Sequence, residues 1–265
     1  MKKKWNPGHM AKMKNNLRDH LKSCDTVIEV IDARAPFASR NSDFEKYIKF
    51  KSKILVINKS DLIDRNIASS LEKHFKKKYN YVVAISATNG SNIRNLLQAL
   101  NNIFKKKELK MMKRKLVALP IKTIILGIPN VGKSQIINTL TGRKIAKVAN
   151  TPGFTRGQQW INVLPNVELL DTPGVVWFNN SGNEVNKLII IGAMKTDEFE
   201  EAAEHLLDIL SKKVIETYYG ISPSGDDSRE ILYNLSKSMK IENIHKKFIE
   251  DYRKGLFGQI SLESA

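Results

Sequence analysis

The octapeptide Gly127-Ile-Pro-Asn-Val-Gly132-Lys133-Ser134 constrains this chain more than any other feature. It fits G-x-x-x-x-G-K-[ST] and stands between an apolar run, Thr123–Leu126, and a helix-patterned segment over 133–141. That strand-to-helix context is what the pattern requires. Its glycines let a loop curl so that backbone N–H groups point inward, and the following helix adds its positive N-terminal end. Such a loop cradles phosphate through Asn130, Val131 and Gly132. Lys133 reaches the β- and γ-phosphates, and Ser134 is placed to ligate Mg²⁺. A glycine turn before a capped helix is the bland reading; the full pattern in the right place argues against it.

Two upstream segments supply a reader for the base. Asn58-Lys59-Ser60-Asp61 ends an apolar run, Lys53–Asn58. The Asp61 carboxylate can accept from guanine N1–H and the exocyclic N2 amine, a donor pair that adenine lacks. The Lys59 stem can cover the base plane, and Asn58 can tie the loop to its neighbours. Ser86-Ala87-Thr88 ends the next run and can offer a backbone N–H to guanine O6. Alone, the tetrapeptide is weak; with Ser86-Ala87 and a phosphate loop downstream it points to GTP and GDP as ligands. Downstream, Asp171-Thr-Pro-Gly174 follows another run, Val167–Leu170. Asp171 is placed for the Mg²⁺ shell and Gly174 to sense a γ-phosphate. Between them Thr155 is chosen as the second protein ligand of Mg²⁺, with Thr151 its rival.

The order of these motifs is unusual, because the base reader precedes the phosphate loop. An open parallel sheet places all its strand C-termini on one edge, where ligands bind. The same edge can be built with the chain cut elsewhere, provided the old termini are joined. The basic segment 105–119 is the natural join, as a solvated helical linker or as a nucleic-acid contact. The fold class expected is α/β: a circularly permuted P-loop GTPase domain with a mainly parallel sheet, then a small all-helical domain. Strands are expected at Thr26–Asp32, Lys53–Asn58, Tyr81–Ser86 and Thr123–Leu126, with a pair over 158–164 and 166–171. Helices are expected over 8–22, 64–78, 91–105 and 133–141. The domain boundary is set at 180, giving 1–180 and 181–265.

Charge narrows the partner class. There are 44 Lys and Arg against 27 Asp and Glu, a net charge of +17, which attracts polyanions. Without a lipidation motif or an apolar run of membrane-spanning length, RNA is favoured over a membrane surface. Lysines that are merely solvated surface remain the plainer reading. Cys24 is the only cysteine, so no internal disulfide is possible, and with no secretory signal the expected location is the cytoplasm.

The motif order, with Trp5-Asn-Pro-Gly-His9-Met10, Asp32-Ala-Arg34-Ala-Pro36, Thr151-Pro-Gly-Phe-Thr155 and Gln158-Gln159-Trp160, resembles the YlqF/RbgA family of circularly permuted ribosome-biogenesis GTPases. The resemblance runs from about residue 5 to 200. It implies a GTPase acting late in assembly of the large ribosomal subunit, stimulated by the particle, with an rRNA-binding helical C-terminal domain. Val175 and Val176 stand where many GTPases place a water-positioning glutamine, and neither can hydrogen-bond a water. The family's histidine falls on His9, which either orients water or merely caps or contacts RNA. Asn130 matches the residue that helps hold K⁺ in potassium-dependent relatives. Gln135 departs from the usual Thr and is expected to matter little, and Asn6 replaces a residue commonly aromatic. The chain is expected to be monomeric and not to bind DNA. A GTP-gated RNA-binding scaffold with negligible hydrolysis is the rival reading; an ATPase conflicts with Asp61.

Overall fold

Seven consecutive buried residues, Thr26–Asp32, form β1, the strand from which the molecule is organised. Burial on both faces marks a strand covered by other layers on each side, the normal setting of a parallel sheet. The computed structural model describes residues 18–41, 45, 48–143, 160–170 and 182–264. Within these, β1 lies beside β2 (Ser52–Asn58) on one side and β4 (Ile121–Leu126) on the other. With β3 (Tyr81–Ala84), β5 (Trp160–Leu164) and β6 (Val167–Leu170) the sheet order is β3-β2-β1-β4-β6-β5. All pairs are parallel except β5 with β6. The join therefore carries the chain from edge strand β3 back to the sheet's middle, and strands met first in sequence make one half of the sheet.

Alternation along the strands divides the apolar side chains between two faces. Ile28, Val30, Ile54 and Val56 enter the large core beneath α2 (Ile93–Met112) and α3 (Lys133–Thr141). Ile31, Leu55 and Ile57 enter the opposite cluster with Leu71 and Phe75 of α1 (Arg65–Phe75). The large core does not stop at the sheet. It runs on into α4 (Asn183–Ile190), α5 (Glu200–Ile209), α6 (Lys212–Tyr219), α7 (Ser228–Met239) and α8 (Ile244–Arg253), through Leu188, Leu206, Ile215, Leu232 and Phe248.

The first half of the basic join is helix. The reading of 91–105 stopped seven residues early, since α2 continues through the lysines to Met112. A 20-residue helix spans about 30 Å, enough to cross the sheet. Asp25 holds the join's far end: its carboxylate accepts from Lys107 Nζ at 2.9 Å and from the Lys122 N–H at 2.9 Å. The strand expected over Tyr81–Ser86 ends at Ala84, and Ser86 instead makes an isolated bridge with Ser91. Of the helix expected over 8–22, the structure describes only residues from 18, helical through 23.

Candidate functional site

Parallel pairing puts Asp32 beside Asn58 at the C-terminal ends of β1 and β2. The chain leaving β4 forms the phosphate loop on the same rim. Asn58 joins the pieces with a single amide. Its Nδ2 donates to the Val131 carbonyl at 2.7 Å, and its Oδ1 accepts from the Ala87 N–H at 3.0 Å. Three segments distant in sequence thus meet at one buried side chain. Gly132 makes the approach possible: it sits at φ 99°, and an added Cβ would lie 2.3 Å from Asn58 Nδ2.

The phosphate loop is braced from within. Lys133 is buried at the start of α3, and its Nζ donates to the Gly127 and Ile128 carbonyls at 3.0 and 2.9 Å. Those carbonyls are neutral acceptors, so phosphate oxygens, which carry charge, are stronger partners for the same ammonium. Asn130 is pinned twice more. Its carbonyl accepts from Lys59 Nζ at 2.8 Å, and its Nδ2 donates to the Gly192 carbonyl at 2.6 Å, just beyond α4. Its amide oxygen, an acceptor, has no hydrogen-bond partner among the described residues.

The base-reading loop rests on a buried ion cluster. Asp32 takes a two-pronged contact from Arg34, Nε at 2.9 Å and NH2 at 2.8 Å, and a third from Lys59 Nζ at 2.8 Å. Burial works against the Asp32 charge, yet Arg34 and Lys59 hold its carboxyl far below the usual carboxylate range. Burial pulls the Lys59 ammonium below its ordinary value, although Asp32 opposes this. Lys59 itself is left-handed, φ 62°, and turns the chain into the single 3₁₀ turn Ser60–Leu62 that presents exposed Asp61. With its ammonium tied to Asp32 and Asn130, the Lys59 stem spans the gap between base loop and phosphate loop.

At the third corner the N–H groups are partly committed. Ser86 N–H goes to the Ser91 carbonyl and Ala87 N–H to Asn58, so of these three N–H groups that of Thr88 is the one with no partner among the described residues. Ser86 Oγ is buried with no hydrogen-bond partner among the described residues, which marks a polar position unsatisfied by the chain itself. Gln135 is not idle: its Nε2 reaches the Ala87 carbonyl at 3.4 Å, beside the shorter 2.8 Å bond from Thr139. The structure therefore brings together Asn58, Lys59, Asp61, Ser86, Ala87, Asn130, Val131, Gly132, Lys133 and Ser134. His9, Thr151, Thr155, Asp171, Gly174 and Val175 lie outside the described residues. Ser134, in the first turn of α3, carries a hydroxyl beside the phosphate loop that would hold a divalent ion. Such an ion supplies positive charge against developing phosphate charge; the chain's part is to orient the Ser134 hydroxyl and the Lys133 ammonium.

A family model described as 50S ribosome-binding GTPase matches residues 122–241, from β4 through α7. The whole chain is matched by the ribosome biogenesis GTPase A of Bacillus cereus, 32% identical over 98% of this chain and 93% of that relative. The chain belongs to this family. The Bacillus licheniformis relative is 41% identical over 65% of this chain, and the aligned part spans 61% of that protein. The crystal structure of GNP-bound YlqF from Thermotoga maritima superposes with a TM-score of 0.66 at 26% identity, covering 96% of this chain and 98% of that one. The protein is thus a GTPase with a circularly permuted P-loop domain and a helical C-terminal region.

The motifs missed several residues that shape the site. Asp32 and Arg34 carried the resemblance but were assigned no role, and Gly192 drew no attention. A buried Asp-x-Arg at a strand end is a legible hint of an ion pair. Nothing local distinguishes Gly192, whose contribution is a backbone carbonyl.

Proposed function

We propose that this GTPase is a nucleotide-switched assembly factor for the large ribosomal subunit, binding the immature particle in its GTP form and leaving on hydrolysis. The observation that carries the reading is the bond from Asn130 in the phosphate loop to the Gly192 carbonyl, which ties the nucleotide site to the helical region. A change at the phosphates has there a direct route into residues 181–265, which we assign to rRNA binding, with 1–180 as the G domain. Net charge of +17 favours a polyanionic partner, and relatives named for ribosome biogenesis supply the particle. Among the described residues no helix is long and apolar enough to cross a membrane.

In this reading Asp61 selects guanine and Lys133 holds the triphosphate. Ser134, Thr155 and Asp171 hold Mg²⁺, and Gly174 senses the γ-phosphate. The Asn130 amide oxygen takes K⁺, and His9 orients the attacking water in place of a glutamine. The protein works as a cytoplasmic monomer. Val175 sustains one rival, a scaffold in which occupancy alone sets RNA affinity. Co-sedimentation with purified large subunits, paired with single-turnover hydrolysis, decides between them. Retention with a non-hydrolysable GTP analogue, release with GDP and at least about tenfold faster hydrolysis on subunits are expected. Nucleotide-dependent retention with hydrolysis unaltered by subunits would leave the scaffold. No nucleotide dependence of retention would end both.

A further inference from the structure

After α8 the chain does not trail away from the molecule but returns across the base side of the site. Gly255, at φ +76°, makes the turn, and an added Cβ there would lie 3.0 Å from Leu62 Cδ2, in the 3₁₀ turn that presents Asp61. Phe257 and Leu262 are buried and anchor the returning segment, while the Tyr252 hydroxyl donates to the Ile260 carbonyl at 2.9 Å. From this segment Gln259, Leu262 and Glu263 reach the strand-end loops. Gln259 Nε2 donates to the Asp61 carbonyl at 3.1 Å. The Leu262 N–H donates to the Arg34 carbonyl at 2.7 Å. Glu263 Oε2 accepts from the N–H groups of Phe37 and Ala38 at 2.7 and 3.2 Å, and Lys187 of α4 holds its other oxygen at 3.0 Å.

These contacts converge on one loop from two sides. Gln259 grips the backbone of Asp61 directly. Leu262 and Glu263 hold 34–38, whose Arg34 fixes Asp32 and through it Lys59, the residue preceding Ser60 and Asp61. An exposed single turn has few restraints of its own, and an isolated carboxylate on it would sample many positions. Discrimination by hydrogen bonding demands that the acceptor stay within a few tenths of an ångström of its donors.

We propose that residues 255–263 form a strap that positions the base-reading loop, with Gln259 and Glu263 as specificity-positioning residues for the guanine N2 amine. The proposal rests on Asp61 being the base reader. Inosine triphosphate lacks that amine and keeps N1–H, so preference for GTP over ITP reports the placement of the carboxylate. The test uses the full chain, wild type against the double variant Gln259→Ala/Glu263→Ala. Equilibrium affinities for GTP and ITP are measured together with amide hydrogen exchange at Ser60 and Leu62.

The wild type is expected to prefer GTP on the order of tenfold or more, the scale of one hydrogen bond to a charged group. In the double variant that preference falls at least about threefold, while exchange at Ser60 and Leu62 quickens about tenfold as the turn opens locally. Glu263→Gln, which keeps an acceptor oxygen for Phe37 and Ala38, retains most of the preference. A folded double variant with an unchanged preference overturns the proposal. Equal loss of GTP and ITP affinity also overturns it, because that is general loosening without loss of selectivity. A wild type that binds GTP and ITP equally removes the Asp61 contact to the N2 amine, and the specificity role of the strap falls with it. That failure is separable, since faster exchange in the variant would still be seen.

Discussion

The phosphate loop and the base-reading loop meet across Asn58, yet they are held by different means. The phosphate loop has a brace of its own, since Lys133 lies on carbonyls five and six residues before it, and is tied outward at Asn130 and Val131 by Lys59, Gly192 and Asn58. The base loop is held from afar. Lys59 is fixed by Asp32 and Asn130, and the backbone of Asp61 by Gln259, 198 residues away. On the proposed reading, the lysine that grips triphosphate is braced locally, while the acid that chooses the base depends on the assembled fold. The difference explains how this domain tolerates permutation. A loop that carries its own geometry can be moved along the sequence, provided the sheet rim is rebuilt around it.

The comparison can be broken from either side. The largest effect is expected from Asp32→Asn, which leaves buried Arg34 and half-buried Lys59 around a neutral amide and should cost about 3–5 kcal/mol of folding stability. Denaturant unfolding measures it. The same residue carries a pH signature. Its folded-state carboxyl is depressed, so its stabilisation is whole above the ordinary carboxylate value near about pH 4 and is lost as pH falls below that. Below about pH 4 the wild type should lose stability more steeply than Asp32→Asn, whose profile lacks this component.

Next comes Lys133→Ala. Loss of a buried ammonium on the triphosphate should weaken GTP binding roughly 100-fold, the upper range for a hydrogen bond to a charged group, while leaving the ratio of GTP to ITP affinity unchanged. Fluorescent-nucleotide titration checks both parts. A shift in base preference would mean that the two loops are not separable.

Smallest is Asp61→Asn. It should lower GTP affinity about tenfold and raise affinity for xanthosine triphosphate, whose C2 carbonyl accepts from the new amide. Stability should hardly change, because Asp61 is exposed. If base preference does not move, the acid reads nothing and the rim has been assigned wrongly.

Thr26–Asp32, Lys53–Asn58 and the helix over 133–141 were legible because runs rich in β-branched residues and a phosphate loop are signals contained within a few neighbouring residues. The bond partners of Asn58 were foreseen only as neighbouring loops. The extension of α2 through Lys105–Met112 was obscured by its charges: solvated lysines favour helix well enough, but without an apolar stripe they give no period to read. The commitment of the Ala87 N–H to Asn58 could not be read at all, since a backbone donor has no letter in a sequence.

What the sequence determined by itself is the chemistry available and the order in which it arrives: a phosphate cradle, an acid for guanine, and a cut placed between them. The tertiary structure alone decided that Gly192 meets Asn130, that Arg34 and Lys59 share Asp32, and that the segment after α8 returns to brace Asp61. The reason is physical. Motifs encode side chains and turns over short stretches. Two of these bonds end on backbone carbonyls, which every residue carries, and two on the Asp32 carboxylate; only the packing of a shared core selects which acceptor stands within reach.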